Sequence, residues 1–189
     1  INQAIKVLKT AKITSGPKTI EFQNEFSKKI KSNFSLLVNS GSSANLLALQ
    51  CLINPYRKKK LKNGDEILIP SLCWSTSLWP IIQSGLKPKF VDVEKHTLNI
   101  DLTDLKKKIT KKTKGIMIVH VLGNSTNMDE LMKIVKMHNL ILIEDTCESL
   151  GSTYRNKYLG TFGEFSSFSF YSSHQISSGE GGMVVCNSV

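Results

Sequence analysis

The sequence has no apolar run long enough to cross a membrane and no closely spaced pair of cysteines. A membrane-spanning helix needs about 20 consecutive apolar residues, and no segment approaches that length. Residues 1–15 lack the charged and then apolar pattern of a secretion signal. The cysteines, Cys51, Cys73, Cys147 and Cys186, are far apart, whereas metal sites and disulfide frameworks usually show closer spacing. We therefore expect reduced, buried thiols in a cytoplasmic protein, with no metal site and no membrane partner.

Acidic residues are in the minority, with 15 Asp and Glu against 25 Lys and Arg and a formal net charge of +10. Such an excess can indicate a nucleic-acid-binding protein. However, the basic residues form short runs at positions 57–60, 106–108 and 111–112, and no aromatic residues are interleaved with them. Runs of this kind are typical of a solvated surface. We expect no nucleic-acid partner.

Short apolar segments alternate along the chain with segments of helical periodicity. The predicted strands cover residues 34–38, 66–69, 89–93, 115–121, 140–143, 165–170 and 183–186. Pro17 marks the start of one helix, and Asp101 and Asn127 are predicted to cap two others, the second through a capping box. This alternation predicts an α/β fold with a mostly parallel sheet covered by helices.

Residues 153–160 break the alternation and predict a short hairpin with Asn156 and Lys157 at its tip. We expect one domain over residues 1–189. Because the chain begins at Ile1 and ends soon after a strand, we also expect it to be a part of a longer protein.

Polar residues follow three of the predicted strands. Residues 40–43 open a helix, Asp145 and Glu148 follow a buried strand, and Ser169 and His174 follow another. Because the carboxyl ends of parallel strands meet at one edge of a sheet, these groups could share a pocket. Each group taken alone also has a structural explanation, such as a helix cap or a hydrogen-bonded loop histidine. The pattern by itself therefore indicates only a cofactor or phosphate pocket.

Several motifs in collinear order make the assignment more specific. They occupy residues 37–45, 64–66, 90–93, 120–124, 144–151 and 179–182, and include Asn-Ser-Gly-Ser-Ser-Ala-Asn, Glu-Asp-Thr-Cys-Glu-Ser-Leu-Gly and Gly-Glu-Gly-Gly. Together they resemble the DegT/DnrJ/EryC1/StrS sugar aminotransferase and dehydratase family. The resemblance implies the large domain of a fold type I, pyridoxal-phosphate-dependent transferase, which is incomplete here and lacks a small C-terminal domain.

The resemblance also implies roles for individual residues. Gly41, Ser42 and Ser43 would hold the cofactor phosphate at a helix start, and Ser169 would supply a second phosphate-binding hydroxyl. Trp74 would stack on the pyridine ring. Asp145 would pair with the protonated ring nitrogen. Glu148 would lie near the ring hydroxyl, as in the dehydratase members of the family.

One position departs from the aminotransferase pattern. Where those enzymes carry the lysine that anchors pyridoxal phosphate, this chain has His174. An imidazole has no primary amine, so the resemblance implies noncovalent binding of pyridoxamine phosphate. A histidine can still act as a general base. The change is similar to that of the sugar 3-dehydratases, which remove the C3 hydroxyl of a nucleotide-linked 4-keto-6-deoxyhexose in deoxysugar and lipopolysaccharide biosynthesis.

Within that branch, the segments around Trp74 and residues 39–45 look closer to enzymes acting on CDP-4-keto-6-deoxyglucose than to those acting on GDP-4-keto-6-deoxymannose. The CDP branch implies a [2Fe-2S] cluster with cysteine ligands beyond Val189 and a reductase partner. The GDP branch implies cofactor recycling with glutamate. Both imply a homodimer.

Two other functions remain open from the sequence. The first is a pyridoxal-phosphate-dependent sugar aminotransferase with an altered lysine, and the second is a non-catalytic homologue.

Overall fold

A computed structural model describes residues 1–12 and 14–187. Its six α-helices are α1 (Asn2–Lys9), α2 (Pro17–Ile30), α3 (Gly41–Ile53), α4 (Ser75–Gln83), α5 (Leu102–Lys108) and α6 (Met128–Met137). Its strands are β1 (Phe34–Val38), β2 (Glu66–Pro70), β3 (Lys87–Val91), β4 (Thr113–Val119), β5 (Ile141–Asp145), β6 (Thr153–Tyr154), β7 (Lys157–Tyr158), β8 (Phe165–Ser169) and β9 (Gly182–Cys186). Every strand predicted from the sequence is present. The predicted start of β3 lies two residues too late, since the strand begins at Lys87.

Seven strands form one sheet in the order β1-β9-β8-β5-β4-β2-β3. The pairs β2–β3, β2–β4, β4–β5 and β5–β8 are parallel. Strand β9 runs antiparallel to both of its neighbours, β1 and β8. The mostly parallel α/β sheet is therefore confirmed. The carboxyl ends of β1, β2, β4, β5 and β8 lie at one edge, together with the amino end of β9.

Helices cover both faces of the sheet because its central strands are apolar on both sides. In β2, Ile67 and Ile69 pack with α3 and α4, whereas Leu68 between them packs with α5 and α6. On the same face as α5 and α6, α2 places Phe26 and Ile30 against side chains of β8 and β9. No helix among the described residues is long and apolar enough to cross a membrane.

Two local predictions need correction. The hairpin tip is formed by Arg155 and Asn156, which have φ values of 47° and 63°, rather than by Asn156 and Lys157. Two consecutive positive φ values are the backbone of a two-residue hairpin turn. At the start of α6, the Asn127 side chain accepts a hydrogen bond from the Glu130 N–H. The Glu130 carboxylate pairs with Lys106 at 2.5 Å, so the cap forms without the reciprocal half of the predicted box.

Candidate functional site

The start of α3 lies at the carboxyl edge of the sheet and follows directly from β1. Ser40 caps the helix, because its Oγ accepts a hydrogen bond from the Ser43 N–H at 3.1 Å. Among the described residues, the backbone N–H groups of Gly41 and Ser42 have no acceptor. Free N–H groups at a helix N-terminus, together with the helix dipole, favour a bound anion. The Ser42 hydroxyl donates to Thr76 Oγ1 at 3.0 Å.

Gly41 is in close contact with the end of β8. A Cβ atom on Gly41 would lie 2.8 Å from Ser169 Cβ and 2.6 Å from Cys147 Sγ. The Ser169 hydroxyl therefore lies beside the free N–H groups, where it accepts a hydrogen bond from the Tyr171 N–H at 3.2 Å. This arrangement fits a phosphate group, since backbone donors and a hydroxyl converge on one place.

Asp145, the last residue of β5, is a buried carboxylate, with 5% of its surface exposed. Its Oδ2 accepts hydrogen bonds from Asn45 Nδ2 at 2.9 Å and Ser77 Oγ at 2.6 Å. Its Oδ1 accepts one from the Cys147 N–H at 3.1 Å. No Lys, Arg or His among the described residues forms an ion pair with it. A buried carboxylate without a cationic partner fits a site that receives a protonated ring nitrogen.

Two thiols lie close to this carboxylate. Burial, reinforced by the negative charge of Asp145, raises the pKa of the Cys147 thiol well above its ordinary value. Burial and the same charge also raise the pKa of Cys73. Cys51, Cys73 and Cys147 are free thiols, as predicted. Both thiols beside Asp145 are therefore neutral near pH 7 and act as packing groups rather than nucleophiles.

His174 lies in the loop that connects β8 to β9. Its backbone N–H donates to the Tyr171 carbonyl at 3.0 Å, and the two rings meet edge to face with centroids 5.9 Å apart. Its Nδ1 is shielded from solvent and has no hydrogen-bond partner among the described residues. The next residue, Gln175, donates through Nε2 to the Glu148 carbonyl at 2.5 Å. The His174 loop is thus tied to the turn that follows β5.

Glu148 and Trp74 stand at the rim of this edge. The Glu148 carboxylate accepts a hydrogen bond from the Leu122 N–H at 3.0 Å. Leu122 has φ of 52°, and its side chain is exposed, which is a strained backbone for a leucine. Trp74 precedes α4 and is 74% exposed, so its ring is free to cover a ligand. No hydrogen bond joins His174 to Asp145 or Trp74 in the described part of the chain.

The structure adds residues that the sequence prediction did not assign to the site. Asn45, Thr76, Ser77, Cys147 and Gln175 all bond to or contact predicted site residues. Two of them, Asn45 and Cys147, lie within the sequence motifs, and Asn45 is also a polar residue in a largely apolar part of α3.

A second buried carboxylate, Glu144, precedes Asp145 in β5. It accepts hydrogen bonds from the N–H groups of Gly160, Phe162 and Gly163, and its Oε2 lies 2.9 Å from His120 Nε2. These contacts hold the segment before β8 against β5, the two strands that end in Ser169 and Asp145.

Two other features lie outside this set of residues. A surface pocket of about 530 Å³ is lined by Glu25, Lys28, Lys29, Lys31, Thr153, Asn156 and Tyr158, none of them a site residue. Among the described residues, no group of three or more His, Cys, Asp or Glu side chains could hold a metal ion.

Comparison with known proteins shows the family of the chain. The sequence model of the DegT/DnrJ/EryC1/StrS aminotransferase family matches residues 1–189. The chain is 44% identical over 179 residues to a GDP-4-keto-6-deoxy-D-mannose 3-dehydratase of Escherichia coli O55:H7, covering 95% of this chain and 46% of the relative. It is 43% identical over 177 residues to the lipopolysaccharide biosynthesis protein RfbH of Salmonella typhimurium, covering 93% and 40%.

A solved structure of the E. coli GDP-4-keto-6-deoxy-D-mannose-3-dehydratase with bound hydrated PLP superposes with a TM-score of 0.93 at 43% identity, covering 97% of this chain and 47% of that one. The chain thus spans about half the length of the relatives it matches.

Proposed function

Because the chain belongs to the DegT/DnrJ/EryC1/StrS aminotransferase family, we propose that it is the cofactor-binding part of a pyridoxamine-phosphate-dependent 3-dehydratase. The substrate class is a nucleotide-linked 4-keto-6-deoxyhexose. The observation that carries the proposal is His174, an imidazole in the loop bonded to the Glu148 turn, whose Nδ1 has no hydrogen-bond partner among the described residues. Relatives named as 3-dehydratases support it.

The residues divide the binding task among three places. The N–H groups of Gly41 and Ser42, with the Ser43 and Ser169 hydroxyls nearby, hold the phosphate. Asp145 holds the ring nitrogen, while Trp74 covers the ring and Glu148 lies toward its hydroxyl. When bound, pyridoxamine phosphate supplies an electron sink and an amine that can condense with the sugar's keto carbon.

His174 performs the proton transfer in this proposal. Its imidazole accepts a proton from the carbon next to the cofactor's amine and delivers it to the departing C3 hydroxyl. No protein group competes for its Nδ1 among the described residues. A positioned base of this kind typically contributes about 10²–10⁴-fold to the rate.

The test uses the purified full-length protein with pyridoxamine phosphate and, in separate reactions, CDP-4-keto-6-deoxyglucose and GDP-4-keto-6-deoxymannose. Mass spectrometry and NMR should show loss of the C3 hydroxyl. His174→Asn should bind the cofactor but lose roughly 10²-fold or more in rate. His138→Asn, at an exposed helix end, is the matched control and should be unaffected. Formation of an amino sugar would overturn the dehydratase assignment.

Several finer expectations belong to this proposal. The preference for the CDP sugar stays a prediction, and the two reactions above decide it. The homodimer and the reductase partner are predictions from the family resemblance, and the cytoplasmic location is a prediction from the cysteine spacing and the lack of a secretion signal. A [2Fe-2S] cluster would need ligands beyond the described residues, and an ultraviolet–visible spectrum of the full-length protein tests for it.

The second candidate is a sugar aminotransferase in which the lysine has been replaced. The 39% identity to a GDP-perosamine synthase of Escherichia coli O157:H7 supports this candidate. The same reactions separate the two, because an aminotransferase would retain the C3 hydroxyl.

A further inference from the structure

We infer that Asn45 is a positioning residue. It orients the Asp145 carboxylate so that one carboxylate oxygen can pair with the ring nitrogen of the cofactor. The inference rests on the proposed function, because it takes pyridoxamine phosphate as the ligand of this site. Asn45 belongs to the motif at residues 37–45, but neither the family resemblance nor the proposed mechanism assigns it a role.

Asn45 is an unusual residue for its place in the fold. It is 1% exposed and lies in α3 among the buried residues Ala44, Ala48, Leu49 and Leu52. A buried amide costs free energy unless it is hydrogen-bonded. Its Nδ2 donates to Asp145 Oδ2 at 2.9 Å and also to the Thr76 carbonyl at 3.3 Å, whereas its Oδ1 has no partner among the described residues. Packing alone would favour an apolar side chain here, and the shorter of the two bonds goes to a charged group, so the Asp145 contact is the main feature that Asn45 provides.

The hydrogen bonds of Asp145 are divided unequally between its two oxygens. Oδ2 accepts from both Asn45 and Ser77, at 2.9 and 2.6 Å. Among the described residues, Oδ1 accepts the Cys147 N–H at 3.1 Å, and the Cys147 thiol is a weak further donor to the carboxylate. Because a carboxylate oxygen has about two lone-pair sites, the protein fills Oδ2 and leaves capacity on Oδ1. Oδ1 is therefore the oxygen available to the ring N–H.

The same two donors stabilise the charge that the ring nitrogen requires. Hydrogen bonds from neutral donors satisfy a buried carboxylate without neutralising it, and Asp145 forms no ion pair with a cation among the described residues. Asn45 also lies four residues after Gly41, on the same face of α3 and about 6 Å along the helix axis. One rigid helix thus sets both the phosphate site and the orientation of Asp145.

The experiment compares two ligands in the full-length protein by calorimetry. One is pyridoxamine phosphate, and the other is its analogue with the ring nitrogen replaced by C–H. Asn45→Leu should weaken binding of pyridoxamine phosphate by about tenfold, since a hydrogen bond to a charged group is worth that much or more. Binding of the analogue should change by less than about twofold, because it has no ring nitrogen for Asp145 to pair with.

Gln50→Leu is the matched control. Gln50 lies on the same helix, and its amide donates to Ser84 Oγ at 3.1 Å, away from Asp145. This variant should bind both ligands as the wild type does. If Asn45→Leu proves unfolded by circular dichroism, Ser77→Ala removes the other donor to Oδ2 and should give the same ligand-dependent pattern.

The outcomes separate the two proposals. Equal weakening of both ligands, or no weakening of either, overturns the role of Asn45 and leaves the proposed function standing. A wild-type protein that binds neither ligand overturns the proposed function, and the inference falls with it.

Discussion

Gly182 is the position where one added methyl group should disrupt both the fold and the proposed phosphate site. It is the first residue of β9 and pairs with Val38 on one side and Ser169 on the other. Val38 leads through Ser40 into α3, and Ser169 carries a hydroxyl of the proposed phosphate site. Strand β9 therefore holds the two halves of the site together at this residue.

The structure gives the size of the effect of Gly182→Ala. A Cβ at this position would lie 2.3 Å from the carbonyl carbon and oxygen of Ser40 and 2.6 Å from the Gly41 nitrogen. These neighbours are backbone atoms, so relief requires a shift of about 1 Å in the start of α3 or in β9. Overpacking of this kind costs about 1–3 kcal/mol, and we expect a loss of about 3 kcal/mol in the free energy of unfolding. Displacing the N–H groups of the proposed phosphate site by about 1 Å would break hydrogen bonds to a charged group, so binding of pyridoxamine phosphate should weaken by roughly tenfold or more.

Urea unfolding of the protein without cofactor measures the first effect, and calorimetric titration with pyridoxamine phosphate measures the second. Gly16→Ala is the control, because its Cβ would be 3.7 Å from the nearest atom, the Thr14 carbonyl oxygen. That change should cost about 1 kcal/mol or less. The reasoning is refuted if Gly182→Ala unfolds within about 0.5 kcal/mol of the wild type and binds the cofactor equally well.

Three further predictions concern single residues. Asp101→Ala removes the side chain that accepts from the N–H groups of Thr103 and Asp104, so urea unfolding should show a loss of about 1 kcal/mol. Cys147, whose pKa is raised well above its ordinary value, should resist iodoacetamide at pH 7 and react faster as pH rises; fast labelling of the native protein at pH 7, read by mass spectrometry, would contradict this. His174→Lys supplies a primary amine, so borohydride treatment with pyridoxal phosphate should fix the cofactor to residue 174, and an unmodified tryptic peptide would show that this position does not face the cofactor.

The strands could be predicted from the sequence because their burial depends on local composition. Residues 141–143 are apolar and residues 165–169 are apolar or small, and both segments lie in mostly buried strands. Turn geometry was harder to predict. The sequence predicted the hairpin tip one residue too late. Asn156 favours a positive φ, which predicts it as the first turn residue, but in the structure it is the second, after Arg155. The pairing of Tyr154 with Lys157 across the hairpin fixes the turn at these two residues.

Only the site residues that match the family pattern could be predicted. Gly41, Asp145 and Ser169 lie at one edge of the sheet, as the strand ends indicated. The residues that hold them were not predictable, because their contacts join distant segments. Asn45 and Asp145 are 100 positions apart, and Ser77 and Asp145 are 68 apart. Asparagine and serine on a helix have many ordinary roles, so only the fold shows which carboxylate they face.

The reversed direction of β9 explains how an exposed loop can hold His174, the proposed general base, in place. Since β9 is antiparallel to β8, the connection between them leaves the edge at Ser169 and returns to it at Gly182, and these two residues pair directly. Phe170 closes the loop at its base, because its N–H donates to the Gly181 carbonyl at 2.9 Å and its carbonyl accepts from the Ser178 N–H at 3.0 Å. A parallel connection would instead carry the chain to the opposite edge. In this topology the ends of the loop keep His174 near the edge that carries Asp145, while the contacts of His174 with Tyr171 and of Gln175 with the Glu148 carbonyl orient it.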